Sequence, residues 1–140
     1  MLASRPRRSG GMLAIDTNVV VRYLAGDHRE QSAAAKALID SEDVFVGTTV
    51  LLETEWVLRG VYGHAKAEVE AALRRFAGLP RVTLQDEALV ARALDWMAAG
   101  MDFADALHLS SATDCETFVS FDRRFARMAA RLGTMAVRTP

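Results

Sequence analysis

The chain has 140 residues, 51% hydrophobic and 25% charged, with net charge −1, which fits one domain with a real core and excludes a disordered chain. Its single cysteine, Cys115, excludes a disulfide within the chain and fits a reducing cytoplasm. No apolar run approaches the roughly 18 residues that a membrane-spanning helix needs, so no membrane span is expected.

Residues 1–11 differ from the rest. They hold Arg5, Arg7 and Arg8, no acid, and Gly10-Gly11. They are expected to be a flexible basic tail or an upstream start, with a small RNA-binding arm as the sharper alternative. A signal peptide would need an apolar stretch after the basic one, and a strand follows instead. Without these three arginines the net charge falls from −1 to −4, so residues 12–140, the expected domain, are acidic. A nucleic-acid binder usually shows a basic excess, so these acids would need bound cations.

Residues 12–16 read as a short apolar strand ending on a carboxylate, Asp16. Residues 18–25 continue as an apolar helix closed by Gly26, and 30–39 as an alanine-rich helix of good propensity. A buried strand is expected at 44–47 and a long apolar helix at 50–62, with Gly63 as its stop. An amphipathic helix at 66–76 ends before a loop at 78–80, which is no domain boundary. A strand at 81–84 and helices at 87–99 and 103–112 follow. A strand at 117–121, a helix at 123–132 and a strand at 135–137 complete the chain. Strands alternating with helices predict an α/β fold with a mostly parallel sheet and helices on both faces.

Four acids stand out. Ligands of open α/β sheets bind at the carboxyl ends of the strands, and Asp16 and Asp122 fall there. Asp16, Asp102 and Asp122 also precede helices, where a plain capping role is equally natural. Glu53 lies inside a helix, beside Val50, Trp56 and Val57, with no local cation. Burying such an acid without a partner is costly, and a metal ion is one partner, a distant arginine another. Glu55 serves as a control. It has Arg59 at i+4 and is expected to mark the solvated face, so that Glu55→Gln should be tolerated. Asp105 has Asp102 at i−3, and two such carboxylates repel unless a cation lies between them. Asp16, Glu53, Asp105 and Asp122 are thus expected to converge on one crevice and hold a divalent cation. An all-carboxylate set suits Mg2+ or Mn2+. One cysteine and the scattered His28, His64 and His108 argue against zinc, and His108 reads as a packing or groove residue. No glycine-rich loop carries a P-loop lysine.

The segments Asp16-Thr17-Asn18, Leu51-Leu52-Glu53-Thr54-Glu55-Trp56-Val57-Leu58, Asp102-Phe103-Ala104-Asp105-Ala106-Leu107 and Ser120-Phe121-Asp122-Arg123-Arg124-Phe125 resemble the PIN domain. More narrowly, they resemble the VapC toxins of type II toxin–antitoxin pairs. The resemblance covers residues 12 to about 137 and implies a three-layer α/β/α sandwich. It also implies a cytoplasmic Mg2+- or Mn2+-dependent endoribonuclease, a cognate VapB-type antitoxin over the active-site groove, and a homodimer within a toxin–antitoxin hetero-oligomer. By position, Asp16, Glu53, Asp105 and Asp122 take the family's acidic places. Thr17, Asn18 and Ser120 take the supporting polar places, and Asp102 is a further candidate ligand. Arg22, Arg123 and Arg124 are candidates for RNA phosphates, against a plain solvated-surface role.

Two other readings compete. A receiver-type phosphoryl-transfer domain also places Asp at strand ends, but Lys36 and Lys66 fall in early helices, where no phosphoryl clamp is expected. A non-catalytic PIN-like binding module would act through a protein or nucleic-acid partner, and metal binding separates it from the nuclease.

Overall fold

In the computed structural model, residues 11–140 are described, and the basic tail lies outside them but for Gly11. The chain divides into two compact units, Met1–Gln85 and Asp86–Pro140.

The first unit runs β1 (Leu13–Ala14), α1 (Thr17–Ala25), α2 (Arg29–Ser41), β2 (Val44–Val46), α3 (Thr48–Gly60), α4 (Lys66–Ala77), β3 (Val82–Leu84). Its strands lie in the order β1-β2-β3, both pairings parallel, with Leu13 opposite Val44 and Val44 opposite Val82. Parallel neighbours need crossovers, and α1–α2 and α3–α4 supply them. The β-branched Val44 and Val46 suit the central strand and are wholly buried. Val20, Val21, Leu51, Leu58, Val69, Leu73 and Phe76 bring the apolar stripes of α1, α3 and α4 into the core. Asp43, buried just before β2, is paired with Arg81 at 3.1 Å. The α1 helix opens on Asp16 and closes at Gly26, whose φ of 64° is the left-handed cap that glycine adopts without strain.

The second unit runs α5 (Glu87–Ala98), α6 (Phe103–Ser111), β4 (Thr117–Val119), α7 (Arg123–Arg131), β5 (Ala136–Arg138). Val90, Ala93, Leu94 and Met97 of α5 and Phe103, Ala106, Leu107 and Leu109 of α6 are buried. A polar clamp ties these two helices. Arg92 Nε donates to Ser110 Oγ at 3.1 Å, and that hydroxyl donates to the Leu89 carbonyl at 2.9 Å. The β4 and β5 strands pair in parallel, with Thr117 opposite Ala136. The rings of Phe118 and Phe125 meet edge-to-face at 5.3 Å, joining β4 to α7.

Every strand pairing among the described residues is parallel. The alternation of strands and helices expected from the sequence is realised element by element, with ends moved by one or two residues. The α3 helix departs from expectation in the face it buries. Leu51, Thr54, Glu55 and Leu58 form its buried stripe, whereas Glu53 is exposed. Glu55, expected on the solvated face, is 1% exposed and ion-paired with Arg59. The helix is apolar on most sides, so the paired carboxylate could be taken inward while Trp56 stays 61% exposed. Among the described residues, no helix is long and apolar enough to cross a membrane.

Candidate active site

In the first unit, Asp16 follows β1 and caps α1, its Oδ1 accepting from the Val19 amide at 3.1 Å. The carboxylate is exposed, and the cap engages Oδ1. Thr17, the next residue, donates through Oγ1 to Glu53 Oε1 at 2.7 Å. That bond joins the start of α1 to the middle of α3 and ties Glu53 to the residue that follows Asp16. Glu53 faces water and this hydroxyl, not the apolar surroundings its helical neighbours suggested. Asn18 is exposed and, with Val19 and Arg22, lines a cleft of about 240 Å3 against Gln31, Ala34, Ala35 and Leu38 of α2.

Arg22, proposed from the sequence as a phosphate contact, is engaged within the unit. Its Nη1 reaches Asp27 Oδ1 at 3.3 Å and Tyr62 Oη at 3.1 Å, and its Nε donates to Gln31 Oε1 at 2.8 Å. A hydrogen bond from the Tyr62 hydroxyl is the largest influence holding the Asp27 carboxyl below its usual range, with Arg22 adding to it. Burial, reinforced by Asp27, pushes the Tyr62 hydroxyl up.

In the second unit, Asp102 caps α6, its Oδ2 accepting from the Asp105 amide at 3.3 Å. Asp102 is exposed, and Asp105, in the first turn, is half-buried. Asp122 follows β4 and caps α7, its Oδ1 accepting from the Phe125 amide at 3.1 Å. Its own amide donates to Ser120 Oγ at 3.0 Å, so Ser120 supports the acid through the backbone. Arg123 and Arg124 are exposed beside it.

All three strand- or loop-end aspartates therefore cap helices, the plain role weighed for them from the sequence. Capping engages one oxygen of a carboxylate that has two, so it does not compete with a cation for the whole group. Among the described residues, no group of three or more His, Cys, Asp or Glu side chains is placed to hold a metal ion. What is brought together is Thr17 with Glu53, Asp102 with Asp105, and Ser120 with Asp122. The donors themselves are hard carboxylate oxygens, which fit Mg2+ or Mn2+ and not a soft metal. His28 caps α2 through Nδ1, and His64, in the loop between α3 and α4, and His108, on α6, are exposed and far apart in sequence. Cys115 is exposed in the turn between α6 and β4.

Sequence reasoning named Thr17 but not its partner. The signal was present: a hydroxyl directly after a strand-end acid can reach only what packs beside the start of α1, and α3 does.

The family model of the PIN domain matches residues 13–131. The chain belongs to the PIN domain family. The match spans most of both units of this PIN domain. A search of curated proteins returned no match. Among solved structures, this PIN domain is similar to Mycobacterium tuberculosis VapC20, described as a sarcin-ricin loop cleaving toxin. The identity is 24% and the TM-score 0.40, over 91% of this chain and 99% of that one.

Proposed function

We propose that this PIN domain is a divalent-metal-dependent endoribonuclease and the toxin of a toxin–antitoxin pair, with Asp16, Glu53, Asp105 and Asp122 as its metal-holding acids. The observation that carries the proposal is the Thr17–Glu53 bond beside Asp16. It ties a helix-interior acid, exposed and oriented, to the residue that follows a strand-end acid, in a chain that belongs to the PIN domain family. Neither core packing nor helix capping calls for Glu53 to be held there.

A Mg2+ or Mn2+ ion at these acids would activate a water and offset charge on the phosphate under attack. The chain's own residues have simpler tasks. Asp16 and Asp122 are fixed by their caps, so each presents an oxygen from a rigid helix start. Thr17 orients Glu53, and Ser120 fixes the backbone on which Asp122 stands. Asp102 holds the turn that carries Asp105. Arg123 and Arg124 supply positive charge for phosphates, whereas Arg22 serves the fold.

An antitoxin and a second copy of the chain are the proposed protein partners. Trp56 on α3 and Val61 just after it, 61% and 65% exposed, support a protein-facing surface there, since large apolar side chains are costly to leave in water.

The test is cleavage of total RNA by purified protein, with Mn2+ or with EDTA, beside Asp16→Asn. Metal-dependent cutting that is lost in a folded Asp16→Asn protein is the expected result. Cleavage by that variant at the parent rate would refute the site. No cleavage and no Mn2+ binding by the parent would leave the non-catalytic module as the better account.

A further inference from the structure

The second unit carries a feature that the four acids do not use. Phe121, between β4 and α7, is 82% exposed, the most exposed large apolar side chain among the described residues. The backbone around it is tied down. Ser120 Oγ accepts from the Asp122 amide on one side, and Asp122 Oδ1 accepts from the Phe125 amide on the other. A large ring kept in water on a rigid turn gains nothing for the fold.

The helix that follows has the sequence RRFARMAAR, four arginines and no acid. Only Phe125 and Ala129 of α7 are buried. At 100° per residue, Arg123, Arg124, Arg127 and Arg131 fall within one arc of about 100°. Four arginines elsewhere are ion-paired, Arg22 with Asp27, Arg59 with Glu55, Arg74 with Glu70 and Arg81 with Asp43, whereas Arg29 and Arg75, among the described residues, are each the single unpaired arginine of their helix. Among the described residues, Arg123, Arg124 and Arg127 have neither an ion pair nor a side-chain hydrogen bond, and Arg131 donates only to the Met128 sulfur, at 3.2 Å. The arc runs along about 12 Å of helix, the length of about three or four stacked nucleotides.

We infer that Phe121 and the arginine face of α7 are a docking surface for an unpaired stretch of RNA, one base stacking on the Phe121 ring and the adjoining phosphates meeting Arg123, Arg124 and Arg127. An accessible ring beside a carboxylate-free basic stripe is the combination that single-stranded RNA recognition uses. A base inside a duplex has no free face for the ring. A protein partner would need an apolar core, and Phe121 with the half-exposed Val119 offers too little. The inference rests on the nuclease proposal for its biological sense, but the binding it describes needs neither metal nor cleavage.

The experiment is fluorescence anisotropy with a labelled, unstructured oligoribonucleotide in EDTA, using the whole chain. The proteins are wild type, Phe121→Ala, Phe121→Trp and Arg127→Gln, each checked for a parental melting temperature. Wild type should bind. Phe121→Ala should bind about 5- to 150-fold more weakly, the range that one stacked base gives. Phe121→Trp should bind like the parent, and Arg127→Gln should lower the salt slope by about 0.7. A fully paired RNA should compete poorly. Parental affinity in Phe121→Ala, no binding by wild type, or equal competition by the duplex would each overturn the inference. So would unchanged RNA binding in a Phe121→Ala protein that has lost a co-purifying protein, which would give the face to that protein. The two proposals fail separately. Metal-dependent cleavage with parental Phe121→Ala affinity removes the docking surface and leaves the nuclease. Phe121-dependent binding with no cleavage in any metal does the reverse.

Discussion

Glu55 puts a charge where α3 meets the core. Its carboxylate is wholly covered, and Arg59, one turn on, reaches in from a side chain that is 36% exposed. Glu55→Gln keeps the shape but loses the charge-assisted bond and leaves the guanidinium facing a neutral amide. Because Arg59 is partly in water, the loss is discounted to about 1–3 kcal/mol. Urea unfolding should show a lower midpoint at unchanged slope, and an unmoved midpoint would mean the pair is idle. Thr17→Val is the opposite case. Glu53 is exposed, so water replaces the lost hydroxyl, and stability should change by less than about 1 kcal/mol. Mn2+ affinity should nevertheless drop about 10-fold or more, as when other groups orienting metal ligands are removed. Calorimetric titration reads this directly, and parental affinity would disconnect Thr17 from the site.

Among the elements, α3 shows what the sequence discloses and what it hides. Its existence, length and partners follow from the apolar run, as do those of its neighbours. Which side faces in does not follow from the Glu55–Arg59 spacing, because an i,i+4 pair forms as well under cover as in water. The better signal was the i, i+3, i+4, i+7 set Leu51, Thr54, Glu55 and Leu58, which is the buried stripe. Candidate acids at strand ends were legible because chain order fixes where a strand's carboxyl end lies. The Thr17–Glu53 contact was not, since it depends on how α1 rests on α3. The junction of α1, α2 and the end of α3 makes a pH prediction. Asp27 has a lowered pKa, chiefly through the Tyr62 hydrogen bond, so its contribution is present above the usual carboxylate value, 3.8, and fades as pH falls through the lower folded value. Tyr62 has a raised pKa, chiefly through burial, so its contribution holds below pH 10.0 and fades as pH rises through the higher folded value. Tyr62→Phe should return the Asp27 carboxyl toward 3.8, measured by carboxyl-carbon NMR titration. An Asp27 titration identical to the parent would assign its shift to Arg22 instead.

At the scale of the whole molecule, charge is sorted by role. Ion-paired Arg22, Arg59 and Arg81 brace the first unit, and a run of open arginines lies along α7 in the second. The net charge of −1 conceals this arrangement, because opposite signs cancel in a sum without cancelling in space. If the four acids act as one metal site, Mn2+ at a hundredfold excess over its Kd should stabilise the protein by about 2.7 kcal/mol, visible as a rise in Tm. Asp16→Asn and Asp122→Asn should each erase the rise. If Asp122→Asn keeps it, the ion belongs to the first unit alone.

The parallel pairing of every strand among the described residues also bears on how the chain reaches this structure. Leu13 meets Val44, 31 residues on; Val44 meets Val82, 38 on; Thr117 meets Ala136, 19 on. No hairpin exists among the described residues to start a sheet locally, so each pairing waits for a long loop to close. Helices, which need only near neighbours, can form long before any strand finds its partner. Closing 38 residues instead of 19 costs only about 0.6 kcal/mol more, so neither half has a decisive head start. The sheets are therefore expected to complete late in folding, with the short helices made lasting by the same packing that closes the strands.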